Sequence, residues 1–193
     1  MGVSQLTTQR RSIVSVFGSS RPGPDQPEYA AALEVGRLLA AAGFTVCNGG
    51  YGGIMEASAR GAKEARGHTM GVISSSFGEL RANRWIDEIV TEKSLVDRLM
   101  KLISVADAYV ILKGGTGTLL ELAAVWEFMN KNIMQKKPCV AVGGFWNGVI
   151  QTLKDELAWE GFGHATHLMS TTDTPVECVE ILKKALGVYE AER

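Results

Sequence analysis

The sequence predicts an α/β protein with a Rossmann-like fold, a three-layer sandwich in which a parallel sheet is flanked by helices. Short, continuous apolar runs alternate along the chain with longer amphipathic stretches. Strands that are apolar on both sides must be covered on both faces, as the strands of such a sheet are. Three of these runs lead directly into turns rich in glycine and serine, which is typical of strand-to-helix connections in this class.

The elements follow one another in a regular order. Because they are short, apolar and rich in β-branched residues, five runs are predicted to be strands: 13–17, 44–47, 68–73, 108–112 and 138–142. Apolar residues at helical spacing predict six helices: 28–42, 54–66, 95–104, 118–131, 146–159 and 175–186. Two weaker runs predict short strands at 88–91 and 167–170. The aperiodic stretch 74–85 is expected to form a loop over a site.

Length and composition fit one domain over residues 1–193, with residues 1–11 as a flexible tail. A net charge of -1 provides no field that would attract a polyanion, so nucleic acid is not an expected partner. The three cysteines lie far apart without histidines at metal-ligand spacing, so neither a metal nor a disulfide is expected. No apolar run or leader pattern points to a membrane, so we expect a cytoplasmic protein.

The turn that follows the fourth long strand is the strongest candidate for a binding site. It contains three glycines and two threonines and precedes a predicted helix: Gly114, Gly115, Thr116, Gly117 and Thr118. Glycines let the backbone approach a ligand closely, and the free N–H groups and dipole of the helix favour an anion there. The alternative is that the glycines only permit a tight turn.

Two further turns of small residues are expected to reach the same edge of the sheet, and the residues proposed for binding are Gly18, Ser19, Ser20, Gly50, Gly52 and Gly53. Neither glycine cluster completes the dinucleotide pattern Gly-x-Gly-x-x-Gly, which disfavours NAD, and no Gly-Lys-Ser/Thr follows the turn as in a P-loop. The predicted ligand is therefore a small nucleotide phosphate, with no separate cofactor.

Two charged residues are candidates for chemistry near this phosphate, and each has an ordinary structural alternative. Glu121 stands three residues after Thr118, so it either assists glycosidic cleavage or completes a capping box with that threonine. Arg98 lies on the polar side of its predicted helix, where a solvated surface arginine is the usual outcome.

Together these residues resemble the LONELY GUY family, whose members are often labelled lysine decarboxylase-like. Residues 113–121 read KGGTGTLLE, similar to the family signature Pro-Gly-Gly-x-Gly-Thr-x-x-Glu, and Arg98 lies 23 residues before Glu121 as in the family's arginine-containing helix. The turns at 18–20 and 49–55 also resemble family motifs. The resemblance implies cleavage of the N-glycosidic bond of nucleoside 5'-monophosphates, including cytokinin nucleotides. It implies Arg98 and Glu121 as the catalytic pair and 114–118 as the phosphate cradle.

The chain departs from the family pattern at three positions. Lys113 replaces the signature proline, Glu56 replaces a glycine of the second motif, and Leu99 replaces a lysine that commonly follows the arginine. These departures indicate a divergent branch. Related Rossmann-like proteins include molybdenum cofactor carriers, so a non-catalytic carrier stays open as the alternative. No residue is recognisable as a pyridoxal phosphate anchor, which leaves the decarboxylase label without chemical support.

A homodimer is also predicted, on one observation. The helix at 118–131 carries four large apolar side chains, more than one small domain is expected to cover: Val125, Trp126, Phe128 and Met129.

Overall fold

A computed structural model describes residues 10–78 and 81–188 of the chain. Within these residues the chain forms seven β-strands. They are β1 (Ile13–Phe17), β2 (Thr45–Asn48), β3 (Thr69–Ser74), β4 (Glu88–Glu92), β5 (Ala108–Ile111), β6 (Cys139–Val142) and β7 (Ser170–Thr172).

The same described residues form six α-helices. They are α1 (Pro27–Ala41), α2 (Ile54–Glu64), α3 (Leu95–Val105), α4 (Thr116–Asn130), α5 (Asn147–Trp159) and α6 (Pro175–Ala185). The connections that the structure describes contain three short 3-10 helices, at Ser75–Phe77, Gly144–Trp146 and Gly163–Leu168. The described helices include none that is both long and apolar enough to cross a membrane.

The strands form one sheet in the order β4-β3-β2-β1-β5-β6-β7, and every neighbouring pair is parallel. In the central strand, Val14 lies opposite Val46 on one side and Ala108 on the other. The chain builds the sheet outward from β1 in one direction and then returns to the other side of β1. The crevice beyond the carboxyl ends of β1 and β5 is therefore the switch point where open α/β sheets bind ligands.

Helices cover both faces of the sheet, which confirms the predicted three-layer architecture. One core packs α1, α2 and α6 against the strands, and its centre includes the fully buried Val14, Leu39 and Leu182. The other core packs α3, α4 and α5 against the opposite face, around Tyr109 and Leu122. The central strands are buried on both sides, which is why they read as continuous apolar runs in the sequence.

Most predicted boundaries differ from the structure by one or two residues, and two differences bear on the site and on the edge of the sheet. α4 begins two residues earlier than predicted, at Thr116. The strand predicted at 167–170 was wrong in position, because residues 163–168 form a 3-10 helix and β7 starts at Ser170. That edge strand is polar and partly exposed, so no apolar run marks it. The predicted loop at 74–85 contains the 3-10 turn Ser75–Phe77.

The predicted tail at 1–11 falls mostly on residues 1–9, which lie outside the described residues. Arg10 is described, and its Nη2 forms an ion pair of 3.0 Å with the Asp107 carboxylate. The same carboxylate accepts a 2.8 Å hydrogen bond from the Ile13 N–H. Residues 10–13 therefore contact the segment that precedes β5, and the flexible tail before them stays a prediction.

The homodimer was predicted because α4 carries four large apolar side chains. In the structure the chain itself covers these side chains, so they give no ground for a dimer. Val125, Trp126 and Met129 are buried, and Phe128 packs against the same core. The Trp126 indole N–H donates a 2.9 Å hydrogen bond to the Ala165 carbonyl in the last 3-10 helix. Residues 163–168 therefore cover part of this helix face, and no pattern in the sequence indicates it because that segment lacks helical periodicity.

Candidate active site

The three turns of small residues meet at the carboxyl edge of the sheet. The Ser19 N–H donates a 3.0 Å hydrogen bond to the Lys113 carbonyl, which joins the turn after β1 to the turn after β5. The Ile54 N–H donates a 2.9 Å bond to the Ser19 carbonyl, which joins the turn after β2. A Cβ on Gly114 would overlap the Thr118 side chain, so only glycine allows this turn to pack so tightly.

The turn after β5 presents an open helix N-terminus. Gly115 is the N-cap of α4, and the Leu119 N–H is the first to bond back to it, at 2.9 Å. The N–H groups of Thr116, Gly117 and Thr118 precede that bond and so lack partners within the helix. A Cβ built on Gly115 or Gly117 meets no atom within 4 Å, so there is open space beside this helix start.

A cleft of about 430 Å³ lies between this helix start and the other two turns. It brings together nine of the thirteen predicted site residues. They are Gly18, Ser19, Ser20, Arg98, Gly115, Thr116, Gly117, Thr118 and Glu121.

The other four predicted residues do not line this cleft. Gly50 and Gly53 have φ angles of +76° and +67°, a conformation that favours glycine, and shape the second turn behind the cleft wall. The Gly50 carbonyl accepts a hydrogen bond from the Asn83 N–H. Gly52 lies in the same turn, and Gly114 lines a neighbouring cavity.

Glu121 is half-buried on α4 and faces the cleft. The capping-box alternative was wrong, because α4 begins at Thr116 with Gly115 as its N-cap, which puts Thr118 inside the first turn. Burial raises the pKa of the Glu121 carboxyl to about 7, and the positive charge of Arg98 opposes this rise without cancelling it. The group is therefore poised to exchange a proton near neutral pH.

Arg98 is not a surface residue, so the solvated alternative was also wrong. Its side chain is buried, with 8% of the residue exposed. Nε donates a 2.7 Å hydrogen bond to the Val72 carbonyl, and Nη2 donates a 3.0 Å bond to the Gly49 carbonyl. Both acceptors are main-chain groups near the ends of β3 and β2. They explain how a polar position on α3 becomes buried, since hydrogen bonding offsets part of the cost of desolvating a charge.

Gly49 makes the position of Arg98 possible. A Cβ at residue 49 would overlap the Arg98 guanidinium and lie 2.6 Å from the Met55 sulfur. The second turn therefore needs glycine here for close approach of a side chain, at a position that the sequence prediction did not select.

Four residues that line the cleft were missed: Tyr51, Met55, Phe77 and Leu95. The Arg98 guanidinium lies 5.3 Å from the centre of the Tyr51 ring, and Phe77 meets that ring edge-on at 5.8 Å. The Tyr51 hydroxyl accepts a 2.9 Å bond from the Ser74 N–H. Tyr51 could have been found from its place in the second glycine turn. Phe77 lies in the loop predicted to cover a site, but no motif singled it out.

Comparison with known proteins finds one matching family model, several similar sequences and several similar structures. The model of the SLOG cluster4 family matches residues 11–157. A protein of Oryza sativa subsp. japonica, named probable cytokinin riboside 5'-monophosphate phosphoribohydrolase LOGL2, is 27% identical over 193 residues. That match covers 97% of this chain and 79% of the rice protein.

The cytokinin riboside 5'-monophosphate phosphoribohydrolase of Mycobacterium tuberculosis is 37% identical over 98 residues, which cover 49% of this chain and 52% of that protein. Among solved structures, the molybdenum cofactor binding protein of Rippkaea orientalis superposes with a TM-score of 0.71 at 25% identity. The superposition covers 93% of this chain and 99% of that one.

Proposed function

The chain belongs to the SLOG cluster4 family, and from that membership we propose that it is a phosphoribohydrolase that releases the free base from nucleoside 5'-monophosphates. One observation carries the proposal. A carboxyl group with a raised pKa, a buried guanidinium and the open N-terminus of a 15-residue helix face one cleft. Relatives named as phosphoribohydrolases support the same activity.

The substrate's 5'-phosphate is proposed to bind at the start of α4. The free N–H groups of Thr116, Gly117 and Thr118 supply the donors, and the helix dipole favours the negative charge. Ser19, which lines the cleft opposite the start of α4, adds a hydroxyl group. The ribose then extends from this end of the cleft toward Glu121.

Glu121 and Arg98 are proposed to act on the glycosidic bond. The bond between C1' and the base nitrogen breaks, and its electron pair leaves with the base. Ionised Glu121 stabilises the positive charge that develops at C1' and accepts a proton from the attacking water, whose oxygen bonds to C1'. The departing base takes up a proton, and Glu121 returns its own to solvent. The products are free base and ribose 5-phosphate.

Arg98 is proposed to hold the substrate in register. Nε and Nη2 are bonded to main-chain carbonyls, while Nη1 makes no hydrogen bond to the residues that the structure describes. That nitrogen is the one available to the ribose or phosphate. Because the guanidinium is anchored before the substrate arrives, it requires little reorganisation during the reaction.

A pH profile of base release from a panel of nucleoside 5'-monophosphates tests this mechanism. Because Glu121 must be ionised and its pKa is about 7, kcat/KM is expected to rise about tenfold per pH unit below pH 7 and to level off above it. A bound phosphate dianion beside the carboxylate raises its pKa further, so the midpoint for kcat should lie higher. Chromatographic measurement of free base gives both curves, and a flat profile between pH 5 and 8 would contradict the assignment.

A carrier of a phosphorylated cofactor is the second candidate, favoured by the likeness to the molybdenum cofactor binding protein. It predicts that no nucleotide in the panel yields free base. It also predicts that a pterin cofactor remains bound through purification, which fluorescence after acid oxidation would detect. The carboxyl of Glu121 argues for the hydrolase, because a negative charge beside bound phosphate opposes binding unless it serves the reaction.

We also propose that a second copy of the chain covers the surface beside the cleft. Five large apolar side chains are exposed on α3 and the start of α4: Leu95, Val96, Met100, Leu119 and Leu120. We expect a mass of twice 20.8 kDa at micromolar concentration in analytical ultracentrifugation, and Val96→Asp should shift it toward the single-chain mass. A single-chain mass for the native protein at that concentration would contradict the proposal.

A further inference from the structure

A second cavity lies beside the cleft, beyond the carboxyl ends of β5 and β6. Its volume is about 300 Å³, which lies at the lower end for ligand pockets and is sufficient for a planar ring system. Its walls are mainly apolar, from Ala31 on α1, Ile54 at the start of α2, Leu112 and Val142. Phe145, half of whose surface is exposed, also lines this cavity.

A smaller cavity of about 230 Å³ links this apolar cavity to the cleft. It shares Ser19 with the cleft, and it shares Glu28, Lys113 and Phe145 with the apolar cavity. Gly114, immediately before the proposed phosphate site, also lines it. The three spaces therefore adjoin one another across the ends of β1, β5 and β6.

The linking cavity carries more positive than negative charge. Arg21 and Lys113 line it together with one carboxylate, Glu28. The Lys113 ammonium contacts that carboxylate at 2.6 Å, which holds the pKa of Glu28 below its ordinary value, and it lies 5.8 Å from the centre of the Phe145 ring. Lys113 occupies the position where the family signature has proline, so this chain has a cation there that the signature lacks.

We propose that the cleft and these two cavities form one extended site for nucleotides whose 5'-phosphate is joined through a pyrophosphate to a second group. The proposal rests on the proposed function for the position of the first phosphate at α4. The second phosphate lies in the linking cavity beside Arg21 and Lys113, where it competes with Glu28 for the lysine. The ring system of the second group fills the apolar cavity and stacks on Phe145.

Three probes of increasing length test this site by calorimetry: AMP, ADP and diadenosine pyrophosphate, in which a second AMP unit is attached. With the two cavities unaltered, the dinucleotide should bind at least tenfold more tightly than ADP, because it adds a stacked base. Ala31→Leu fills the apolar cavity with a good helix former and should remove that advantage. Ala30→Leu, exposed on the same helix, is the matched control and should keep it.

Phe145→Ala provides an independent second variant, because an exposed side chain can be shortened without loss of the fold. It should also reduce the advantage in affinity of the dinucleotide over ADP. The proposal is overturned if the dinucleotide binds no more tightly than ADP, or if the advantage survives in Ala31→Leu. It is also overturned if Ala31→Leu weakens the binding of AMP as much as the binding of the dinucleotide, because the apolar cavity would then hold the single base of AMP. All titrations use the Glu121→Gln background, in which nucleotide binding is expected to be retained and base release lost, so binding is read without turnover. Failure of the hydrolase proposal, seen as absence of base release by the native chain, is a separate result.

Discussion

Replacing Glu121 by glutamine is expected to reduce base release about 10²- to 10⁴-fold while nucleotide affinity stays within a few-fold of the native value. The amide keeps the size of the side chain but removes the negative charge that stabilises the transition state and accepts the proton. Single-turnover measurement of free base, with affinity measured separately by calorimetry, distinguishes loss of chemistry from loss of binding.

Glu127→Gln is the matched control, because Glu127 is an exposed glutamate on the same helix. It should leave base release unchanged.

Unfolding of Glu121→Gln provides a further check. Burial raises the pKa of Glu121, so ionisation costs the folded state free energy as pH rises from the ordinary carboxyl range toward 7. The variant should therefore unfold at a higher temperature than the native protein at pH 8 and at nearly the same temperature at pH 4. If Glu121→Gln releases base at a rate comparable to that of the native protein, Glu121 has no role in the mechanism.

Replacing Gly115 by valine is expected to weaken nucleotide binding at least about 100-fold without loss of the fold. A Cβ at this position meets no atom within 4 Å, and its φ of -96° is one that valine adopts. The added side chain would instead occupy the space in front of the free N–H groups of α4, where the phosphate is proposed to bind. Calorimetric titration with AMP measures the loss.

Gly148→Val is the control for this variant, since residue 148 lies on α5 and a Cβ there also meets no atom within 4 Å. Both variants should retain the far-ultraviolet circular dichroism of the native protein. Gly114→Ala differs from both, because its Cβ would overlap the Thr118 side chain, and it should lower the unfolding temperature. Unchanged AMP affinity in Gly115→Val would place the phosphate elsewhere.

The fold could be predicted because its signals are local. A strand buried on both faces must be apolar along its length, and a helix that covers a sheet must be apolar along one side. The position of β7 was missed because it is a short edge strand of polar residues. The covering of α4 was missed because the Ala165 carbonyl, which accepts the Trp126 indole N–H, lies 39 residues away in a segment without periodicity.

The site was harder to predict because its determining contacts join distant segments. Arg98 has a surface pattern in the sequence, yet its hydrogen-bond acceptors are 26 and 49 residues away. Glu121 fits a capping box in the sequence, and only the geometry of the turn, which starts the helix at Thr116, excludes it. The resemblance to a known family selected both residues where residue types and spacing alone left each of them ambiguous.

The anchoring of Arg98 by carbonyl oxygens has an evolutionary consequence. Its hydrogen bonds to Val72 and Gly49 depend on the course of the main chain and not on which side chains those residues carry, apart from the space that glycine leaves at position 49. Phe77 and Leu95, which line the same cleft, make none of these bonds. Substitutions at these two positions would therefore change the wall of the cleft without removing the hydrogen bonds that hold the guanidinium, so the shape of the cleft can diverge in a lineage while Arg98 keeps its place.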